Sequence, residues 1–166
     1  MKLELKHLTA YLPYNLIFID IPENEKFELL GLSSREETIF VNGVNLTKDC
    51  KPILRPLSDL HKVIKHDEAV FCPIVVLCEM AGYKKPKIQT DVDGSLLCCC
   101  IANHCDVSFL YKNDSFMAGY VNHETDDWTE DINVENQFLL FSKLAEWHFD
   151  FFGLIDAGLA VDINSL

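Results

Sequence analysis

KIQTDVDGSLLCCCIANHCDVSFLYKNDSFMAGYV, residues 87–121, decides the fold class. KIQTDVDGSLLCCCIANH reads as a hairpin around Asp93-Gly94, because Asp-Gly supplies the positive φ angles that a tight turn needs. VSFLY (107–111) and FMAGYV (116–121) extend the sheet, joined by the turn residues Lys112-Asn113-Asp114-Ser115. Upstream, NLIFIDI (15–21), FELLGL (27–32), TIFV (38–41) and VNL (44–46) read as further strands, with Asn42-Gly43 as a second hairpin turn.

Helices fill the remainder. LELKHLTAYL (3–12) predicts a short helix ended by Pro13. Ser58 caps an expected short helix carrying Leu60, Val63 and Ile64. FCPIVVLCEMAGY (71–83) reads as a helix opened by Pro73 and stopped by Gly82, although Ile74-Val75-Val76 also permits a strand. The longest predicted helix spans 136–152. Ser142, Lys143, Glu146 and Asp150 form its narrow wet stripe, while Phe138, Phe141, Leu144, Ala145, Trp147, Phe149, Phe151 and Phe152 cover the rest. Gly153 or Gly158 is expected to stop it, and LAVDI (159–163) to add an edge strand. The expected architecture is one α+β domain over 1–166. A bent, mainly antiparallel sheet, meander- or barrel-like, is covered by a long C-terminal helix and two or three short ones.

Charge narrows the function. The net charge of the 166-residue chain is −12. Residues 1–90 balance 12 basic against 12 acidic side chains, whereas residues 91–166 hold 2 basic and 14 acidic, so the whole excess lies there. Such a surface argues against direct nucleic-acid binding, which needs cations to displace phosphate counterions, and against docking on anionic lipid. The cluster Lys84, Lys85, Lys87 weakens the first exclusion for the balanced portion only. NHETDDWTEDINVE (122–135) is the densest acidic run, with Glu124, Asp126, Asp127, Glu130, Asp131 and Glu135 and no Lys or Arg. Trp128 lies inside it, and a large aromatic in a charged run either folds back onto the body or meets a partner. These seven residues are the candidate partner-binding set. The partner they imply is a basic protein, and in the strong form their carboxylates mimic nucleic-acid phosphates.

CCCIANHC offers Cys98, Cys99, Cys100, His104 and Cys105 as soft-metal ligands. Cys98, Cys100, His104 and Cys105 are the weak metal candidates. On a strand, however, Cys98 and Cys100 face one way and Cys99 the other, so adjacent thiolates do not close a tetrahedron as a CxxC turn does. Buried thiols are the commoner role. Asp91, Asp93 and Ser95 begin like a calcium loop, but the twelfth position is Ala102 and the glycine comes two places early. His66-Asp67-Glu68 matches half of a zinc-deaminase signature whose PCxxC half is missing. No GxSxG, GxxxxGK[ST], GxGxxG or HExxH occurs, so no catalytic residue and no cofactor are expected. His148, on the apolar helix, reads as a hydrogen-bonded core or boundary histidine. A small metal-binding protein, or an enzyme with an unrecognised site, remains the alternative.

No apolar run is long enough for a membrane span, the N-terminus lacks a signal-peptide core, and seven cysteines suit a reducing compartment. A cytoplasmic location is therefore expected. MKLELKHLTAYLPYNL (1–16), KPILRPLSDL (51–60) and LAEWHFDFFGLIDAGLAVDINSL (144–166) resemble an uncharacterised family of short proteins encoded in prophages and mobile elements of anaerobic gut bacteria. The resemblance implies an accessory role inside a bacterial host cell and assigns no site residue.

Overall fold

The expected hairpins at 87–121 are the centre of the largest sheet in the computed structural model, which describes residues 2–35, 38–90, 96–102, 105–122, 127–128 and 132–166. In chain order the strands are β1 (Ile17–Asp20), β2 (Glu25–Glu28), β3 (Leu32–Arg35), β4 (Thr38–Val41), β5 (Val44–Asn45), β6 (Cys50–Leu54), β7 (Ile64–His66) and β8 (Ala69–Phe71). They continue with β9 (Lys84–Thr90), β10 (Leu96–Ala102), β11 (Cys105–Lys112), β12 (Ser115–Asn122), β13 (Asp127–Trp128), β14 (Ile132–Asn133) and β15 (Val161–Asp162). The helices are α1 (Leu5–Thr9), α2 (Pro73–Met80) and α3 (Gln137–Glu146). The fold is α+β with mostly antiparallel pairing, and the described sheets are open rather than closed into a barrel. The chain divides into two compact units: residues 1–57 with 144–166, and residues 58–143. The second is thus an insertion within the first.

In the first unit the order β15-β6-β1-β2 makes one sheet and β3-β4-β5 another. Leu8, Tyr11, Leu16, Phe18, Leu29, Val41, Leu54 and Leu154 form its apolar core. Asn42 and Gly43 take φ of 53° and 80°, the twist that matches a two-residue hairpin loop, as the sequence predicts. Asn42 does more than turn. Its Oδ1 accepts from the amides of Leu30 (2.8 Å) and Gly31 (3.1 Å), and its Nδ2 donates to the Glu28 carbonyl (2.7 Å). FELLGL is accordingly not one strand but two, broken at 29–31 where the backbone turns to this side chain. The expected helix at 3–12 is only α1, followed by a 3-10 turn, Leu12–Tyr14, that contains Pro13.

The long C-terminal helix is the main correction. α3 ends at Glu146, not at 152, and neither Gly153 nor Gly158 stops it. His148 enters the left-handed region at φ 59°. Its amide donates to the Ala145 carbonyl (3.0 Å), and the Phe149 amide to Leu144 (2.9 Å). This is a Schellman stop with histidine in the place that glycine usually takes. The histidine repays that conformation by placing Nε2 2.7 Å from the Tyr14 carbonyl, in keeping with the expected hydrogen-bonded boundary role. The next residues pair with a strand extension: the Arg55 amide donates to His148 O, and the Asp150 amide to Arg55 O, both at 2.8 Å. Asp150, expected on a wet stripe, is buried. Phe138, expected in the apolar cover, is 87% exposed.

In the second unit the order β13-β12-β11-β10-β9 makes the main sheet, with β14 also on β12. The helix expected after Ser58 is instead a 3-10 turn followed by the β7–β8 hairpin. His66 and Ala69 close that hairpin around Asp67 at φ 50°, so the His66-Asp67-Glu68 triplet is a turn. β-Branched Val63 and Ile64 favour the strand. α2 is helical as expected, with Gly82 at φ 91° just past its end.

On the main sheet, Cys98, Cys100, Val107, Phe109, Phe116 and Ala118 are buried and share one face by strand alternation. Phe109 and Phe116 stack at 5.7 Å, and Tyr83 lies 5.8 Å from Phe109. Burial pushes the Tyr83 hydroxyl up from 10.0 to about 12, and Tyr111 likewise, with Asp114 adding to the latter. Unfolded tyrosines lose their protons near pH 10, whereas these keep theirs. The unfolded state therefore binds fewer protons above pH 10, and stability is lost as pH rises from 10 towards 12. Unfolding midpoints should fall across that window, and the fall should shrink in Tyr83→Phe and Tyr111→Phe. A flat profile through pH 12 would contradict this packing.

Candidate functional site

The acidic run pairs with a sheet at two points among the described residues. At one, β13 pairs antiparallel with the end of β12, Trp128 opposite Val121 and Asp127 opposite Asn122. At the other, β14 pairs with the middle of β12, Ile132 opposite Ala118 and Asn133 opposite Met117. The Val134 amide then donates to the Phe116 carbonyl at 3.1 Å. Of the seven candidate partner residues, Asp127 and Trp128 are placed as strand backbone and Glu135 is exposed. Glu124, Asp126, Glu130 and Asp131 lie outside the described residues. The segment is thus an edge of the sheet at these points, where the sequence alone reads a solvated loop.

Gln137 fixes that edge and was not singled out by sequence. Its Oε1 accepts from the Phe116 amide (2.9 Å), while its Nε2 donates to the carbonyls of Phe116 and Val134, the latter at 3.1 Å. A side-chain amide so placed substitutes for one more residue of strand pairing and ties the first turn of α3 to β12. Gln137→Ala would leave a half-buried amide and carbonyl of Phe116 with fewer partners, at a cost of about 1–2 kcal/mol. Chemical denaturation checks this; a Gln137→Glu variant, which keeps the acceptor but loses the donor, should fall between. No sequence signal marks this glutamine, because its partners meet it only in the folded sheet.

The thiols follow the alternation read from the sequence. Cys98 and Cys100 are buried on the core face, while Cys99 lies on the opposite face and is half-buried. α2 brings Cys78 to the first two. Hydrogen bonds to Cys100 and Cys98, with burial, push the Cys78 thiol well up, and Cys98 is lowered as the acceptor end of the same hydrogen bond. His104 lies outside the described residues, and Cys105 is placed only as strand backbone. Among the described residues no group of three or more His, Cys, Asp or Glu side chains is arranged to hold a metal ion. The calcium-like residues Asp91, Asp93 and Ser95 also lie outside the described residues. Among the described residues no helix is long and apolar enough to cross a membrane.

β9, at the edge opposite β13, carries Lys84, Lys85 and Lys87. Four strand spacings separate the two edges, about 19 Å along the hydrogen-bonding direction. Pro86 and a register shift opposite Cys99–Ile101 blunt the β9 edge against pairing with another strand. A chain with −12 net charge therefore carries three lysines together on one edge strand of this sheet.

Comparison with protein-family models, with characterised proteins and with solved structures finds no match. The reading of this site accordingly rests on its own chemistry.

Proposed function

We propose that the chain is a non-catalytic binding module whose acidic run, residues 122–135, engages a basic protein partner. The observation that supports this most is the antiparallel pairing of β13 and β14 along β12, which ties the acidic stretch to a sheet at two points. A run whose backbone is paired at two points loses less conformational entropy on meeting a partner than a free tail, and its carboxylates steer the encounter at low salt. Trp128, inside the same stretch, supplies an aromatic anchor of the kind that dominates binding energy. The accessory role implied by the resemblance to mobile-element proteins is compatible with such a module.

The test uses a fluorescent Lys/Arg-rich peptide as the basic probe. Combined Glu124→Gln, Asp126→Asn, Asp127→Asn, Glu130→Gln and Asp131→Asn should weaken its binding at low salt by roughly tenfold or more. A control neutralises five exposed carboxylates elsewhere: Glu23, Glu25, Glu28, Glu79 and Asp156. It should stay within about twofold of the parent. Equal losses in the two variants would reduce the effect to net charge and remove the proposed site.

A further inference from the structure

Ser108 is 2% exposed, and its hydroxyl oxygen has no hydrogen-bond partner. It stands on the sheet face opposite the aromatic core. There a concavity of about 390 Å³ is lined by Lys85, Lys87, Gln89, Leu97, Cys99 and Ile101, with Ser108 and Asp106. The register explains the grouping. Lys87 lies opposite Cys99, and Cys99 opposite Ser108, so the three form one row across β9, β10 and β11. Ile101 and Leu97 flank Cys99 on the same face by alternation. Two strand spacings put the Lys87 and Ser108 backbones about 10 Å apart, a span that a lysine side chain leaning over Cys99 can largely close.

The lining has a definite chemical character. Two ammonium groups stand against one carboxylate, although residues 91–166 as a whole hold 2 basic and 14 acidic side chains. A buried hydroxyl left without a partner costs free energy, and such groups are rare unless a ligand or ordered water completes them. Apolar side chains with a few convergent polar groups are the usual make-up of a small-molecule site, and the volume lies at the small end of the range.

We propose that this concavity binds a small amphipathic monocarboxylate. The carboxylate sits over Cys99, receiving hydrogen bonds from Lys87 and Ser108 with Lys85 adding charge, and the apolar body lies along Leu97 and Ile101. The proposal does not depend on the acidic run, so either can fail alone.

Decanoate is the probe, with decanol as its uncharged counterpart and Cys99 as the reporter. Cys99 is half-buried, as are Cys50 and Cys72, which lie elsewhere and serve as internal controls for alkylation. Decanoate should slow alkylation of Cys99 by a maleimide while leaving Cys50 and Cys72 unchanged, as read by peptide mass spectrometry. Lys87→Met combined with Lys85→Gln should raise the decanoate concentration needed for protection roughly tenfold. Ser108→Ala should weaken protection too, without loss of folding, because it removes a hydroxyl that has no partner to leave behind. Decanol should protect roughly tenfold less well than decanoate. Equal protection by decanol, protection unaffected by the lysine changes, or uniform slowing at all three thiols would each overturn the proposal.

Discussion

Phe149→Ala should lower the unfolding free energy by about 3–5 kcal/mol, the range for deleting a fully buried aromatic ring. Phe149 is 0% exposed and lies just past α3. Its backbone is engaged on both sides. The amide donates to Leu144 at 2.9 Å, and the carbonyl accepts from the buried Tyr11 hydroxyl at 2.7 Å. With its backbone pinned in this way, residue 149 cannot move inward without disturbing the helix stop, so little collapse will offset the loss. Phe149→Leu, which keeps most of the volume, should cost under about 1.5 kcal/mol. Trp147 reports on the first unit and Trp128 on the second, so fluorescence in a Trp128→Phe background isolates the first. A melt unchanged by Phe149→Ala would refute the packing of this segment.

Asp150→Ala should cost roughly 3 kcal/mol. The carboxylate is 5% exposed and accepts from the amides of Leu154 (2.8 Å) and Ile155 (2.7 Å). It thereby closes the turn that returns the chain toward β15. Alanine leaves one buried and one half-buried amide without this acceptor. Asp150→Asn keeps one acceptor oxygen but points an NH₂ group at the second amide, so it should recover only part of the loss. Urea denaturation of the three proteins orders them; Asn equal to wild type would show that only one of the two hydrogen bonds matters.

These two residues also show where sequence reasoning stops. Hairpins at Asn42-Gly43 and along residues 96–121 were legible, because strand alternation and turn residues are local. The same alternation correctly set Cys98 and Cys100 apart from Cys99. The helix end was not legible, since histidine rather than glycine takes the left-handed residue and Arg55 captures the following backbone. β6 was hidden by Pro52, which argues against a central strand. It is accommodated opposite Phe18, with β15 joining only at Ile53 and Leu54. Asp150, Gln137 and Ser108 look like ordinary polar residues in the chain. Gln137 gains its role from Phe116 on another strand, Asp150 from amides four and five residues ahead that turn back to it only in the fold, and Ser108 from having no partner. The acidic run was legible as charge, but its pairing with β12 at 127–128 and 132–133 was not, because that pairing is a property of the folded backbone.

The central claim, that this run is the partner surface, is tested most directly by amide chemical-shift mapping while a Lys/Arg-rich peptide is titrated at low salt. The largest shifts should fall on residues 122–135 and on their β12 partners Met117, Ala118, Val121 and Asn122, and they should vanish as salt is raised. Shifts spread evenly over exposed carboxylates of both units, or centred on β9 or on the first unit, would contradict it.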